Sequence, residues 1–176
     1  ATSVAVPVGN VADRLVDEIC SHAMSLTVGP TDQDTQFDMG PVIRREHLDR
    51  VANYLDVAAS EGADVALDGR REFSGDGFLL GPSVIDRVEP TMRIAREEIF
   101  GPVLSVIRAN DFGEVLALGK QCEFGNGASI FTRDGFTARQ FREPFDVGMI
   151  GVHVGSPSPM ALFAFTVWYG SFFGDR

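Results

Sequence analysis

The sequence predicts an α/β fold with three layers, in which helices flank a largely parallel sheet. Short apolar or alternating segments recur along the chain, and segments with a helical spacing of apolar residues separate them. Glycine and proline mark most of the boundaries, with 19 glycines and 9 prolines among 176 residues. Strands that alternate with helices in this rhythm are typical of parallel sheets covered on both faces.

Two helices are predicted in the first part of the chain. Residues 2–6 alternate as a strand does, and Asn10 is the predicted cap of a helix over 11–26. A second amphipathic helix is predicted over 45–63 and ends at Gly62, the residue type that most often follows a helix.

Strands dominate the middle of the chain. A short strand is predicted over 64–69, a pair of strands within 71–84, and a buried strand over 103–109. Asp111 then begins a predicted helix over 112–122.

The remainder repeats the pattern once more and then loses it. A strand is predicted over 125–132, a helix over 134–144 and a last strand over 147–154. Residues 155–176 have no period and are rich in proline, glycine and aromatics, which predicts an ordered loop over a core. No internal repeat or low-complexity linker interrupts the chain, so one domain is the simplest prediction.

Composition excludes several classes of function. The net charge of −10 and the pI of about 4.6 disfavour a surface that binds nucleic acid. The two cysteines give no disulfide framework, which favours a reducing compartment. No apolar run is long enough to span a bilayer, and no signal-peptide pattern begins the chain. We therefore expect a cytoplasmic protein without membrane or nucleic-acid partners, unless a targeting segment lies upstream of residue 1.

One stretch carries a more specific signal. Residues 95–106, "AREEIFGPVLSV", place two adjacent carboxylates, an aromatic and a Gly-Pro corner directly before an apolar strand. Together with "FGNGASIFTRD" and "VGMIGVHV", this stretch resembles the NAD(P)-dependent aldehyde dehydrogenase superfamily. The segment from "DMGPVIRREHLDRV" to "ALDGR" resembles the family's sequence after its catalytic cysteine. The closing "FAFTVWYGSFFGD" is most similar to the CoA-acylating methylmalonate-semialdehyde dehydrogenase branch.

The resemblance implies an architecture and a reaction. Residues 1–176 would be a portion of the catalytic domain, with the dinucleotide-binding domain and the oligomerisation strand outside this chain. The chain has no G-x-G-x-x-G pattern after a strand, which agrees with a dinucleotide-binding domain outside these residues. The resemblance further implies a semialdehyde substrate, NAD as cofactor, CoA as acyl acceptor, and a homo-oligomer.

The same resemblance assigns two cofactor-binding residues. Glu98 would hydrogen-bond the nicotinamide ribose, because a carboxylate accepts charge-assisted hydrogen bonds from two hydroxyls. Phe100 would lie against the nicotinamide, because a flat apolar ring positions it without competing for hydride. Glu97 is predicted to be structural, paired with Arg93 or Arg96. In a plainer interpretation the glutamates are solvated loop charges and Phe100 is a core residue.

The family's reaction needs a cysteine thiolate. Cys20 lies in a predicted helix beside acidic residues, which would raise its pKa, and Cys122 lies at a helix end. Neither has the family's cysteine context. The family's nucleophile precedes a strand similar to "ATSVAV", so the resemblance places it just before Ala1. We therefore expect no catalytic residue in these 176 residues and no activity from them alone.

Other candidate groups are weaker. The three histidines have no metal-ligand spacing, and His153, at a strand end, is predicted to be structural. An aromatic cluster near the end either lines a substrate pocket, with Phe163 and Phe165 as the candidates, or seals the core. Its members are Phe163, Phe165, Trp168, Phe172 and Phe173.

Two further interpretations stay open. The tail departs from the branch at His153, Val167 and Tyr169, which favours a diverged, non-catalytic short homologue that acts as a binding or assembly module. Alternatively, Cys20 or Cys122 serves a different thiol chemistry, which alkylation at neutral pH would reveal.

Overall fold

The computed structural model describes residues 2–31, 36–70, 77–159, 162 and 165–172. The chain divides into two compact units. The N-terminal unit comprises residues 3–110, and the C-terminal unit comprises residues 111–176 with residues 1–2. Each is described separately, and the assignment of residues 1–176 to one catalytic-domain portion stays a prediction.

A four-stranded sheet organises the N-terminal unit. Its strands are β1 (Val4–Ala5), β2 (Asp64–Leu67), β3 (Ser83–Asp86) and β4 (Val103–Val106), in the order β1-β4-β3-β2. The β1–β4 and β3–β4 pairs are parallel, and only β2 runs antiparallel, against β3. The predicted α/β fold with a largely parallel sheet is therefore confirmed.

Within the described part of this unit, three α-helices accompany the sheet. They are α1 (Ala12–Met24), α2 (Arg45–Ser60) and the single turn α3 (Arg93–Arg96). The two long helices were predicted, and Gly62 follows α2 with a φ of +100°. The prediction that Asn10 caps α1 is wrong. Asn10 lies inside a 3-10 turn over Gly9–Val11, and α1 begins after Val11 without a side-chain cap.

The packing of β3 shows the three layers of this unit. All four of its residues are buried, and successive side chains of a strand point to opposite faces. Val84 packs with Val16 of α1, whereas Ile85 packs with Leu55 of α2. Full burial of each such side chain contributes roughly 1.5–3 kcal/mol. The sheet is thus held between α1 on one face and α2 on the other.

The predicted strand pair within 71–84 is only partly testable, because residues 71–76 lie outside the described residues. Residues 77–82 form no strand, and β3 begins at Ser83. β3 pairs with β2, which lies before residue 71. The described residues therefore show no strand pair within 71–84.

The described residues of the C-terminal unit form two helices and two small sheets. Its helices are α4 (Phe112–Gln121) and α5 (Gly135–Arg142), and its strands are β5 (Phe124–Gly125), β6 (Gly127–Ile130), β7 (Met149–Val152) and β8 (Trp168–Tyr169). β6 and β7 pair in parallel, and β5 and β8 pair antiparallel. β8 corrects the prediction of a continuous loop after residue 154.

Aspartate side chains cap both helices of this unit. The Asp111 carboxylate accepts from the backbone N–H of Glu114, and the Asp134 carboxylate accepts from those of Phe136 and Thr137. Each cap satisfies backbone donors that have no partner within the helix, a contribution of about 1 kcal/mol. Across the part of the chain that the structure describes, no helix has the length and apolarity needed to cross a membrane.

Gly69→Ala is expected to destabilise the chain by about 2 kcal/mol. The Gly69 carbonyl accepts from the Gly81 N–H at 3.1 Å, and its own N–H donates to Ser83 Oγ at 3.1 Å. An added Cβ would overlap the Gly81 backbone oxygen, which cannot move without breaking this contact. Urea unfolding followed by circular dichroism measures the change.

Gly135→Ala is the matched control for that prediction. A Cβ at Gly135, in the first turn of α5, has nothing nearer than Arg139 Nη1 at 3.8 Å. We expect unchanged or slightly higher stability, because alanine favours the helix over glycine by about 1 kcal/mol. Equal unfolding midpoints for the two variants would show that the backbones at Gly69 and Gly81 are not in contact.

Candidate functional site

The two predicted cofactor residues lie on one loop, residues 97–101, which connects α3 to β4. Glu98 is exposed, Ile99 is buried, and Phe100 is 71% exposed. The loop thus turns one apolar side chain into the core and presents the two side chains beside it to the outside. The interpretation of Phe100 as a core residue is therefore wrong.

The backbone of this loop is strained at Phe100 and tightly packed at Gly101. Phe100 has a φ of +56°, a left-handed conformation that bulky residues rarely adopt and that costs about 1–3 kcal/mol. A Cβ on Gly101 would lie 2.7 Å from both methyl groups of Val51, a fully buried residue of α2. The absence of a side chain at Gly101 is what allows the loop to approach α2 this closely.

Two side chains of α2 bind consecutive carbonyl groups of the loop. Arg50 Nη2 donates to Ile99 O at 2.6 Å, and His47 Nε2 lies 2.6 Å from Phe100 O. Because a carbonyl oxygen only accepts, Nε2 of His47 must carry its proton. His47 and Arg50 are three residues apart, so they occupy the same face of α2.

Glu97 fixes the start of the loop. Its carboxylate accepts two hydrogen bonds from Arg93, each at 2.9 Å, and one from the Tyr54 hydroxyl at 2.6 Å. The Arg93 hydrogen bonds, followed by that of Tyr54, lower the pKa of Glu97 to about 2. The predicted pairing with Arg93 is confirmed, whereas Arg96 donates to Pro90 O instead.

Glu97→Gln is expected to lower the pKa of Tyr54. In the folded chain the hydrogen bond to Glu97 is the main cause that raises this pKa above 10.0, followed by burial. A neutral amide removes the negative charge that opposes phenolate formation, so the pKa falls toward its ordinary value. Ultraviolet absorbance titration measures it, and Tyr54→Phe assigns the signal because the chain has only two tyrosines. An unchanged midpoint would mean that the bond is absent in solution.

The Glu98 carboxylate has no hydrogen-bond or ion-pair partner among the described residues. Next to it, the exposed Phe100 ring offers a flat apolar face. The loop therefore presents an anion with two free acceptor oxygens and a phenyl ring from a backbone that α2 holds in place.

Comparison with known proteins shows to which family the chain belongs. The sequence profile of the aldehyde dehydrogenase family matches residues 1–176. The chain belongs to the aldehyde dehydrogenase family. The predicted superfamily is therefore confirmed, and with it the α/β catalytic fold.

This aldehyde dehydrogenase chain is 42% identical to malonate-semialdehyde dehydrogenase 1 of Geobacillus thermodenitrificans, over 99% of the chain and 36% of that protein. Its fold matches the crystal structure of methylmalonate-semialdehyde dehydrogenase from Oceanimonas doudoroffii with a TM-score of 0.93 and 42% identity, over 98% of this chain and 36% of that one. A Sinorhizobium meliloti structure described as a methylmalonate-semialdehyde dehydrogenase complexed with NAD gives a TM-score of 0.93 and 43% identity, with the same coverage.

These relatives confirm the resemblance to the methylmalonate-semialdehyde branch. The chain spans about 36% of the length of the relatives it matches. The comparisons do not test the roles of Glu98 and Phe100, which stay predictions.

The described aromatic candidates lie in the C-terminal unit. Phe165 is 61% exposed, and Trp168 and Phe172 are each at least half exposed. Phe163 and Phe173 lie outside the described residues. The described members of the cluster do not form a sealed core, and the substrate-pocket role of Phe163 and Phe165 stays a prediction.

The cysteines of the aldehyde dehydrogenase chain lie outside the 97–101 loop. Burial and then the carboxylates of Asp17 and Asp86 raise the pKa of the Cys20 thiol, which disfavours the reactive thiolate. Cys122 is exposed and follows α4. Among the described residues, no three His, Cys, Asp or Glu side chains are grouped as a metal ion would require.

The contacts of His153 agree with its predicted structural role. Its backbone N–H donates to Ile130 O at 2.9 Å, and its Nε2 lies 2.8 Å from Thr132 O. The ring also packs edge-on against Phe131, with 5.8 Å between the ring centroids.

The residues that sequence reasoning missed are the α2 anchors His47, Arg50 and Tyr54. Their spacing of three and four residues along one predicted helix was the signal available.

Proposed function

We propose that the complete enzyme carrying this chain oxidises a malonate- or methylmalonate-type semialdehyde with NAD, and that Glu98 and Phe100 bind the nicotinamide end of the cofactor. The observation that carries the proposal is the pairing of a free carboxylate with an exposed ring on the anchored 97–101 loop. The names of the relatives supply the substrate class, and the NAD complex of the Sinorhizobium meliloti protein supplies the cofactor.

The two side chains fit a nicotinamide riboside chemically. A ribose presents two neighbouring hydroxyl donors, and the Glu98 carboxylate offers two acceptor oxygens that no described residue occupies. The Phe100 ring gives an apolar face and has no group that competes for hydride. When bound, NAD supplies the hydride acceptor. The protein's part at this loop is to hold and orient.

The nucleophile and the acyl acceptor complete the proposal. With its raised pKa, Cys20 is a poor source of thiolate at neutral pH. The resemblance places the family's thiol outside residues 1–176, and we propose on that basis that this chain alone is inactive. We retain from the resemblance CoA as the acceptor of the acyl group and assembly as a homo-oligomer, and from the two cysteines a cytoplasmic location.

The test measures NADH formation by the complete enzyme with malonate semialdehyde and methylmalonate semialdehyde, with and without CoA, and identifies the product by mass spectrometry. We expect NADH with both and an acyl-CoA thioester when CoA is present. A free acid in the presence of CoA would contradict CoA as acceptor, and no NADH with either aldehyde would overturn the substrate class. The 176-residue chain is the control. NADH formed by this chain alone would contradict its proposed inactivity.

A further inference from the structure

We propose that His47 and Arg50 are positioning residues that hold the Phe100 ring in place for the cofactor by binding the loop backbone. This inference rests on the proposed function, which makes Phe100 a cofactor-binding residue. Both side chains act on the backbone of the loop. Each acts on one carbonyl group, His47 on Phe100 O and Arg50 on Ile99 O.

Phe100 needs such an external restraint. Its φ of +56° is unfavourable for a bulky residue and persists only where the surroundings impose it. The ring is 71% exposed, so packing of the side chain contributes little to fixing it. The two hydrogen bonds from α2 act at the residue with the unfavourable dihedral and at the one before it.

Arg50 contacts the loop and its own neighbours on α2, since its Nη2 also lies 3.4 Å from His47 Nδ1. It makes no ion pair with a carboxylate among the described residues, although the chain is strongly acidic. Its Nη2 donates to Ile99 O at 2.6 Å, and its guanidinium carbon lies 6.0 Å from the centroid of the Tyr54 ring. A charged donor forms a stronger hydrogen bond to a carbonyl than a neutral one does.

The other contacts of the loop leave this role to α2. Glu97 is held by Arg93 and Tyr54, which fixes the entry to the loop, and Gly101 packs against Val51, which fixes its exit. Between these two points, the described side chains that hydrogen-bond the loop backbone are His47 and Arg50. Their removal frees the segment that carries Glu98 and Phe100 while its ends stay attached.

The experiment compares Arg50→Ala, Arg50→Lys, His47→Ala and His47→Gln in the complete enzyme. Arg45→Ala is the matched control, because Arg45 lies on the same helix and its guanidinium packs on Phe78 instead of the loop. Crystal structures without NAD report the φ of Phe100. Steady-state kinetics report KM for NAD, and urea unfolding reports stability.

We expect Arg50→Ala and His47→Ala to release Phe100 from positive φ. Each should raise KM for NAD about tenfold, which corresponds to the loss of one hydrogen bond. The unfolding midpoints should match that of Arg45→Ala. Arg50→Lys and His47→Gln, which keep a donor, should restore most of the loss. This rescue separates positioning from a general structural role, and it decides the case if an alanine variant unfolds.

Phe100→Ala distinguishes failure of this inference from failure of the proposed function. If Phe100→Ala raises KM for NAD and the alanine variants of His47 and Arg50 do not, the positioning role is overturned and the cofactor site stands. If Phe100→Ala also leaves KM unchanged, the cofactor role of Phe100 fails and the positioning role fails with it. Retention of positive φ at Phe100 in both alanine variants would likewise overturn the inference.

Discussion

Glu98→Ala should lower kcat/KM for NAD about a hundredfold in the complete enzyme, with most of the effect in KM. The substitution removes a carboxylate that would accept two charge-assisted hydrogen bonds, each contributing on the order of 1.5 kcal/mol or more. Because Glu98 is exposed and has no partner among the described residues, its removal should leave the fold intact. An effect on kcat/KM is therefore an effect on the cofactor.

The measurement is initial NADH formation at varied NAD, together with the urea midpoint of each variant. Glu123→Ala is the control, since Glu123 is another exposed glutamate and lies in the C-terminal unit. Glu98→Gln should be intermediate, because the amide keeps an acceptor oxygen and loses the charge. A Glu98→Ala enzyme with the KM of the Glu123→Ala enzyme would rule out contact between Glu98 and the ribose.

Asp86→Ala should cost about 3 kcal/mol of stability. Asp86 ends β3, and its carboxylate is 7% exposed. It accepts from Arg108 Nε at 3.0 Å and Nη2 at 2.6 Å, and from the Arg87 backbone N–H at 2.7 Å. Removing the Asp86 carboxylate leaves the Arg108 side chain, which is only 26% exposed, paired with the exposed Asp13.

The same pair should give an acid-dependent stability. Burial raises the pKa of Asp86, but the hydrogen bonds of Arg108 and Arg87 outweigh it and hold the pKa below 3.8 in the folded chain. A carboxyl with a depressed folded pKa stabilises the fold above its unfolded pKa, and this contribution is lost as the pH falls through the folded value. The difference between wild type and Asp86→Ala should therefore be full at neutral pH and shrink below about 3.8.

Urea unfolding at several pH values tests both statements. Asp64→Ala is the matched control, because Asp64 pairs with Arg87 on the surface, where the side chains are 65% and 58% exposed. Exposed pairs contribute about 0–1 kcal/mol. An Asp86→Ala variant no less stable than Asp64→Ala at neutral pH would show that the pair with Arg108 adds nothing to the fold.

The fold was predictable where a local pattern decides the structure. Asp111 begins α4 as predicted, because a short acceptor before a helical segment satisfies its first free N–H groups. The single turn α3 and the two-residue β8 were not predictable, because neither is long enough to show a period. The antiparallel direction of β2 also depends on pairing across the chain, which strand composition does not encode.

Some residues of the candidate site were predictable from the sequence, whereas its geometry and its anchors on α2 were not. Glu98 and Phe100 follow from the family motif, and the pairing of Arg93 with Glu97 follows from their spacing of four residues. The positive φ of Phe100 has no sequence signal, because glycine and asparagine are the usual residues there. His47 and Arg50 act on carbonyls 53 and 49 residues away, and every residue type has a carbonyl.

The hydrogen bonds from His47 and Arg50 to backbone carbonyls affect how the 97–101 loop tolerates substitutions in evolution. Because α2 holds backbone atoms, its hydrogen bonds to the loop do not depend on which side chain stands at position 98. A combinatorial library at position 98 should yield mostly folded proteins. At position 100 we expect few folded variants with β-branched residues, because these residues rarely adopt the left-handed backbone conformation. Under the proposed cofactor role, we expect that new cofactor preferences can be selected at position 98 without changes to the α2 residues that hold the loop.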